Sequence, residues 1–358
     1  MKHLALKAVL QIYFAILLLT GFTTLAQEKH TLRGFLFHKQ DTTPVTDGIA
    51  YIEGSTLAAV SNHQGRFEIN SIPTGRRWLI VEKTGYAPLL LPVELTYGLR
   101  NVDTLYLEKQ AEKQPLSFSK KEMSNSLRKF RQHIFGQRNF KKLTINNPEA
   151  FRITRNSPPR SDEPFHLQLS NEYLGYDISV WVRKFELTKN QQVVTDYLEA
   201  SKYFKPKQAS SEKEQRKWEF NRQFVYNGSL RNFLRHMLAK SLLENGFTCY
   251  AIEGSQRNLA DKVRQGKKTL ITYDNLTDYV TYYPDKERNI NRLRIKQIIE
   301  VHYSRQKNAQ GDDQVSYIIP ANGFVQVYDS GLLLNPSQLS ISGYMAEGGL
   351  SELLPIDY

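Results

Sequence analysis

The sequence predicts an all-β N-terminal sandwich followed by an α+β domain built around a central helix pair. Three observations predict it. Short alternating strands separated by turn residues run through 31–109, an apolar stripe of helical period lies within 218–247, and extended β-branched and aromatic runs flank that stripe on both sides. With 358 residues, 40% of them hydrophobic, the chain is long enough for two domains with separate cores.

The chain opens with Lys2 and Lys7, followed by an apolar run over 8–22 broken only by Gln11 and Thr20, and then Thr24-Leu25-Ala26. That order of basic, apolar and small residues is a secretory signal over 1–26, with the mature chain expected from Gln27. The run falls short of the roughly 20 apolar residues of a membrane span, so no transmembrane segment is expected after cleavage. Cys249 is the single cysteine, which excludes an intramolecular disulfide. It lies in the strand-like run Phe247-Thr-Cys-Tyr-Ala-Ile252, where a buried, inert thiol is the expectation.

Residues 27–110 read as the first domain. Strand patterns at 32–37, 49–53, 58–61, 66–70 and 78–82 are separated by a turn cluster over 41–48, the tight turn Asn62-His-Gln-Gly65 and the turn Ile72-Pro-Thr-Gly75. Phe67, Ile69, Trp78, Ile80 and Tyr86 are expected to supply the inner face. Gly34, Pro44-Val45, Ala50-Tyr-Ile52, Asn62-x-x-Gly65-x-Phe67-x-Ile69, Ile72-Pro73-x-Gly75 and Gly85-Tyr86 follow one another in order. This series resembles the carboxypeptidase-regulatory-like domain, a transthyretin-like fold. The resemblance implies a non-catalytic seven-stranded sandwich, used widely in envelope proteins of Bacteroidota, and no peptidase activity. Thr46-Asp-Gly48 departs from the Leu/Pro-containing turn of that family.

The polar segment 111–119 is the expected linker, and 120–358 the second domain. A short basic helix is predicted over 125–135, stopped by Gly136, with extended segments at 143–149 and 151–154 and a turn-rich loop at 156–164. Strands are predicted at 165–169, 176–182, 193–198, 269–273, 294–303, 317–320 and 324–328. Between them, Leu230, Phe233, Leu234, Met237, Leu238, Leu242 and Leu243 keep the three-to-four spacing of one helical face. Ser229 is its expected N-cap and Asn245-Gly246 its left-handed stop. Asn227-Gly228 is expected to end an earlier helix holding Trp218, Phe224 and Val225. Leu234, Met237 and Leu238 should all be buried against a sheet.

Trp218-x-x-Asn221-Arg222, Tyr226-x-Gly228-Ser229-Leu230, Phe233-Leu234-Arg235, Gly246-Phe247 and the closing Leu353-Leu-Pro-Ile-Asp-Tyr358 resemble the region of unknown function that follows this sandwich in a group of Bacteroidota envelope proteins. The resemblance marks Trp218, Asn221, Arg222 and Arg235 as candidate ligand or partner residues. An arginine on a helix that packs against a core is either ion-paired and structural or the anchor of an anionic ligand. The ion-paired role is the expectation; the anchor stays open.

Several chemistries find no support in the residues. The eight histidines stand at 3, 30, 38, 63, 133, 166, 236 and 302, none paired at zinc-ligand spacing within a helical turn, which argues against a zinc peptidase. No nucleophile elbow or phosphate-binding glycine loop is present. Asp312-Asp313 reads as a solvated turn, and Asp274, Asp278 and Asp285 are the carboxylates considered for glycoside hydrolysis. No catalytic residue, metal or cofactor is expected. Of 48 basic and 36 acidic residues, nine of each lie in 27–110 and Lys2 and Lys7 precede it, leaving 37 basic against 27 acidic in 111–358. A basic second half fits an anionic envelope neighbour, and export argues against nucleic acid. The reading is a non-catalytic exported cell-envelope protein, periplasmic, outer-membrane-associated or at the surface, that binds a protein partner or an anionic glycan. The alternative is an envelope hydrolase acting on glycan or peptide, which should show a pocket with converging carboxylates or a histidine-based dyad.

Overall fold

Seven strands make the first part of the chain: β1 (Lys29–His38), β2 (Ile49–Ile52), β3 (Ala58–Val60), β4 (Arg66–Pro73), β5 (Gly75–Glu82), β6 (Leu89–Leu95) and β7 (Leu99–Leu107). The computed structural model describes residues 29–95, 98–110, 127–128, 130–153, 161, 163–190, 193–253, 259–286, 288–320, 323–335 and 338–358. The expected signal (1–26), the expected linker (111–119) and most of the 156–164 loop lie outside them.

The strands pair as β4-β1-β7 and β3-β2-β5-β6, giving two sheets over one core. Alternation along each strand turns Leu32, Leu36, Phe67, Ile69, Leu79, Val81 and Leu107 inward. Of the expected inner face, Tyr86 packs against this core with Phe67 and Ile69, and the two residues of β5 do not. Phe67 and Ile69 are in the core, but on β5 the opposite parity faces in, leaving Trp78 45% exposed. Ile80 is fully buried, yet on the outer face with its register partner Tyr51, whose ring meets Tyr203 of the second half at 5.3 Å. A one-residue change of parity sends a strand's side chains to the other face.

The second half is also mostly sheet. Strands β8 (Leu143–Ile145), β9 (Phe165–Asn171), β10 (Tyr176–Asn190) and β11 (Val193–Pro206) form an antiparallel sheet in the order β11-β10-β9-β8. Its core carries edge-to-face rings, Phe130 meeting Phe135, Phe151 and Phe185 at 5.2–6.1 Å. The basic segment before it is helical at Leu127 and Arg128 and widens to a π-helical turn at Arg131–Phe135.

Two helices follow, α1 (Glu212–Asn227) and α2 (Leu230–Leu238). Helix α1 starts earlier than its apolar stripe suggests because Ser211 caps it, accepting from Glu214 N. Its buried side chains are Trp218, Asn221 and Val225, while Phe224 is 38% exposed. Ser229 caps α2 as expected, accepting from Asn232 N. Phe233, Leu234 and Met237 are fully buried, but Leu238 is only partly so, because the helix stops there and the chain turns away. At the joint, a Cβ on Gly228 would lie 2.8 Å from Gln306 Oε1 and 2.9 Å from the Tyr344 ring, so only a bare backbone passes.

Helix α2 lies against two further sheets. One is β13-β12-β16-β17-β19, from β12 (Phe247–Glu253), β13 (Lys267–Ile271), β16 (Ile298–Lys307), β17 (Asp313–Pro320) and β19 (Leu339–Gly343). The other is β14-β15-β18, from β14 (Val280–Asp285), β15 (Ile290–Ile295) and β18 (Val325–Tyr328). The single strand expected over 294–303 is thus two strands in different sheets. Lys296 makes the break: its backbone N–H donates to Tyr279 O at 2.9 Å and its Nζ to Asp278 O at 2.9 Å, fixing it to the 276–279 turn instead of a ladder. Among the described residues no helix is long and apolar enough to cross a membrane, which says nothing of β-barrels.

Candidate anion-binding cleft

The sandwich and the second half meet along a seam that the C-terminal tail fills. Gly54 N donates to Lys202 O at 2.6 Å and Phe204 N to Ser55 O at 2.9 Å, extending β11 onto the β2–β3 turn. Ile356 N donates to Gly54 O at 2.8 Å, and its side chain packs on the sandwich core. Asp357 holds Thr56 twice, accepting from its N–H at 2.9 Å and from its hydroxyl.

A cleft of about 180 Å3 opens beside this tail, lined by Lys29, Ser71 and Pro73 of the sandwich, Arg231 of α2, and Ile356, Asp357 and Tyr358. Ser71 sits at φ +63°, a strained conformation for a side-chain-bearing residue. Arg231 and Arg235 are one helical turn apart on α2, along the border of its apolar stripe. Arg231 reaches two carbonyls at the edge of hydrogen-bonding distance, Pro355 O at 3.3 Å and Ser330 O at 3.4 Å. Among the described residues it makes no salt bridge. Burial pulls its guanidinium below the usual range, the Arg235 and Arg77 cations add to this, and Tyr226 and Asp357 oppose it. Asp357 also lines the cleft, its two oxygens accepting from Thr56 while its charge offsets part of the burial cost of Arg231. The arrangement is a cation without a salt bridge among the described residues, sharing a small opening with Lys29 and Asp357.

Three of the four residues marked from the sequence come together elsewhere. Trp218, Asn221 and Arg222, on one face of α1, grip the β9–β10 turn by its carbonyls. Trp218 Nε1 donates to Glu172 O (3.2 Å), Asn221 Nδ2 to Tyr173 O (2.7 Å), and Arg222 to Leu174 O (2.7 Å) and Gly175 O (3.1 Å). Arg222 also lies 4.2 Å from the Tyr176 ring centroid. The carboxylate partners expected for a structural arginine are replaced by backbone carbonyls and a ring. Arg235 is the exception: it is exposed and donates to Tyr226 Oη at 3.2 Å, with the Tyr358 ring 5.7 Å from that of Tyr226. Arg231 was missed, although its i, i+4 spacing to Arg235 on the polar face of α2 was visible.

A second polar cluster lies on the face of the large sheet away from α2. Glu300, 3% exposed, has His302 Nε2 at 2.7 Å and Lys268 Nζ at 2.7–2.9 Å, and Tyr250 packs its ring edge-on to His302 at 5.3 Å. Burial alone would raise the Glu300 carboxyl, but the hydrogen bonds from His302 and Lys268 outweigh it and hold the carboxyl below its ordinary range. Cys249, on the opposite face, is 2% exposed, and burial pushes its thiol up to about 12, so it is inert near neutral pH. Asp274 and Asp278 are exposed, and among the described residues no His, Cys, Asp and Glu group forms a metal site.

No family model matches the chain, and no curated protein matches it. Among solved structures, a mutant cohesin–X-dockerin complex from Acetivibrio cellulolyticus is 17% identical, covering 31% of this chain and 76% of its own, with a TM-score of 0.21. The major pilin subunit of Bacillus cereus is 5% identical over 84% of this chain and 95% of its own, again at 0.21. A 9R-lipoxygenase from Cyanothece is 9% identical over 61% of this chain and 48% of its own, at 0.18. Likenesses this slight carry no argument about activity.

Proposed function

We propose that the protein is a non-catalytic, exported cell-envelope binding module whose seam cleft takes an acidic group, from an anionic glycan or an acidic protein segment. One observation carries this reading: Arg231, partly buried at the cleft, has no salt-bridge partner among the described residues, and Lys29 lines the same opening. A bound carboxylate or sulfate would supply the charge-assisted bonds that two distant carbonyls do not. A cleft this small suits one acidic group at a time, whereas sites enclosing whole small molecules run to about 300–1,000 Å3. Arg235, one turn along α2, adds positive potential at Arg231. Export is supported by the residues of 1–26, and the family resemblance by seven strands in two sheets. In this reading residues 120–358 form one α+β unit around the helix pair.

Titration calorimetry with a polyuronate oligosaccharide tests it. Wild-type protein should bind with an affinity that falls as salt rises, and Arg231→Ala and Lys29→Ala should each weaken binding about tenfold, the loss of one charge-assisted contact. Unchanged binding by folded Arg231→Ala protein would refute the assignment. The hydrolase reading rests on a different observation, the His302–Glu300 pair with Lys268 beside it. Turnover of envelope glycan or peptide that disappears in His302→Ala would favour it.

A further inference from the structure

A larger groove lies far from the seam in sequence, between the π-helical turn and the start of β8, and it combines two properties the cleft does not. Its volume is about 770 Å3. Leu127, Leu143 and Phe140 are its apolar lining, with Leu143 buried beneath and Phe140 41% exposed. Arg128, Arg131 and Lys141 stand around that lining, and no carboxylate lines the groove among the described residues. Arg131 is partly buried, with its guanidinium 5.8 Å from the Phe135 ring centroid, and its Nε is enclosed without a hydrogen-bond partner. An enclosed donor without an acceptor is costly, and three neighbouring cations repel one another.

Both deficits are met by one kind of molecule. A free phosphate would satisfy the cations and leave Leu127 and Phe140 wet. A polysaccharide would do little better, and a neutral hydrocarbon would leave Arg131 unpaired. We propose that this groove binds a single anionic lipid, with its acyl chain on Leu127, Phe140 and Leu143 and its headgroup among Arg128, Arg131 and Lys141. The volume is within the range of sites that enclose small molecules. The proposal is independent of the seam cleft, since no residue is shared.

The test uses the full chain and dodecyl phosphate below its micellar concentration, followed by calorimetry, with inorganic phosphate and dodecanol as separate arms. Dodecyl phosphate should bind at least about a hundredfold more tightly than either fragment, as expected when chain and headgroup are held together. Arg128 and Lys141 are exposed, so the Arg128→Gln/Lys141→Gln double variant keeps its fold and should bind about tenfold or more weakly. Phe140→Ser should weaken dodecyl phosphate while leaving inorganic phosphate unchanged, and Arg231→Ala should change neither. Equal affinity for dodecyl phosphate and inorganic phosphate, or unaltered binding by the double variant, would overturn the proposal.

Discussion

Replacing Gly175 by Ala should destabilise the protein through a single identifiable contact. Gly175 ends the turn that α1 grips, at φ +71°, and a Cβ placed on it would lie 2.3 Å from Trp218 Cδ2 and 2.5 Å from Cε3. Trp218 cannot yield cheaply, being 3% exposed and bonded through Nε1 to Glu172 O. The left-handed backbone costs an alanine about 1–2 kcal/mol, and forcing a packed ring aside about 1–3 kcal/mol more, so about 2–5 kcal/mol is expected. Gly311 separates the two contributions. It has φ +86° with nothing within 4 Å of its Cβ position, so Gly311→Ala should lose only the backbone part, about 1–2 kcal/mol. Urea denaturation of both variants, read by tryptophan fluorescence, gives the comparison. Equal losses would refute the idea that Gly175 is required for Trp218 to pass.

Three further outcomes follow from the same contacts. Arg222→Ala should cost about 1.5–3 kcal/mol, because a charged donor leaves two carbonyls, whereas exposed Arg235→Ala should stay within about 0.5 kcal/mol; melting temperatures that fall equally would count against the division. Leu234→Ala, emptying a fully buried site, should lose about 2–5 kcal/mol by chemical denaturation, and a loss under about 1 kcal/mol would mean that α2 does not pack as described. Glu300, held below its ordinary carboxyl value of 4.5, favours the folded state above that value and ceases to as pH falls through its folded value. Glu300→Gln should therefore flatten the acid limb of the stability profile, and parallel limbs for variant and wild type would show that Glu300 contributes nothing there.

What the sequence disclosed followed the strength of its periodic signals. The β1–β5 segments, the Ser229 cap and the buried face of Phe233, Leu234 and Met237 were legible because period and punctuation agreed, whereas β6 and β7 were not placed individually. Trp78 and Ile80 misled because every other residue of β5 is hydrophobic or becomes buried by the second half, so parity could not be read from composition. Lys296 hid a change of sheet inside an unbroken β-rich run, since its anchors lie on a turn seventeen and eighteen residues earlier. The candidate cleft was less accessible still. Arg231, Ser71 and Asp357 are ordinary residues in sequence, and only folding brings positions 29, 71, 231 and 357 to one opening. The α1 residues carried a recognisable pattern, but its use, mostly gripping backbone carbonyls of a distant turn, marks that turn only through Gly175 and the Tyr176 ring.

Strand β1 has a consequence for how the molecule is assembled. It is the middle strand of its sheet, antiparallel to β4 on one side and parallel to β7, about seventy residues further along, on the other. Nothing local completes that sheet: the earliest-made strand must wait for the latest. Nucleation here depends on closing a long loop, which slows folding relative to hairpin-built sandwiches. Until β4 is made β1 has two open edges, and until β7 docks it keeps one, a form of chain prone to associate with its own copies. Conditions that delay synthesis or delivery of residues 66–107 should therefore raise aggregation far more than the stability of the finished fold would suggest.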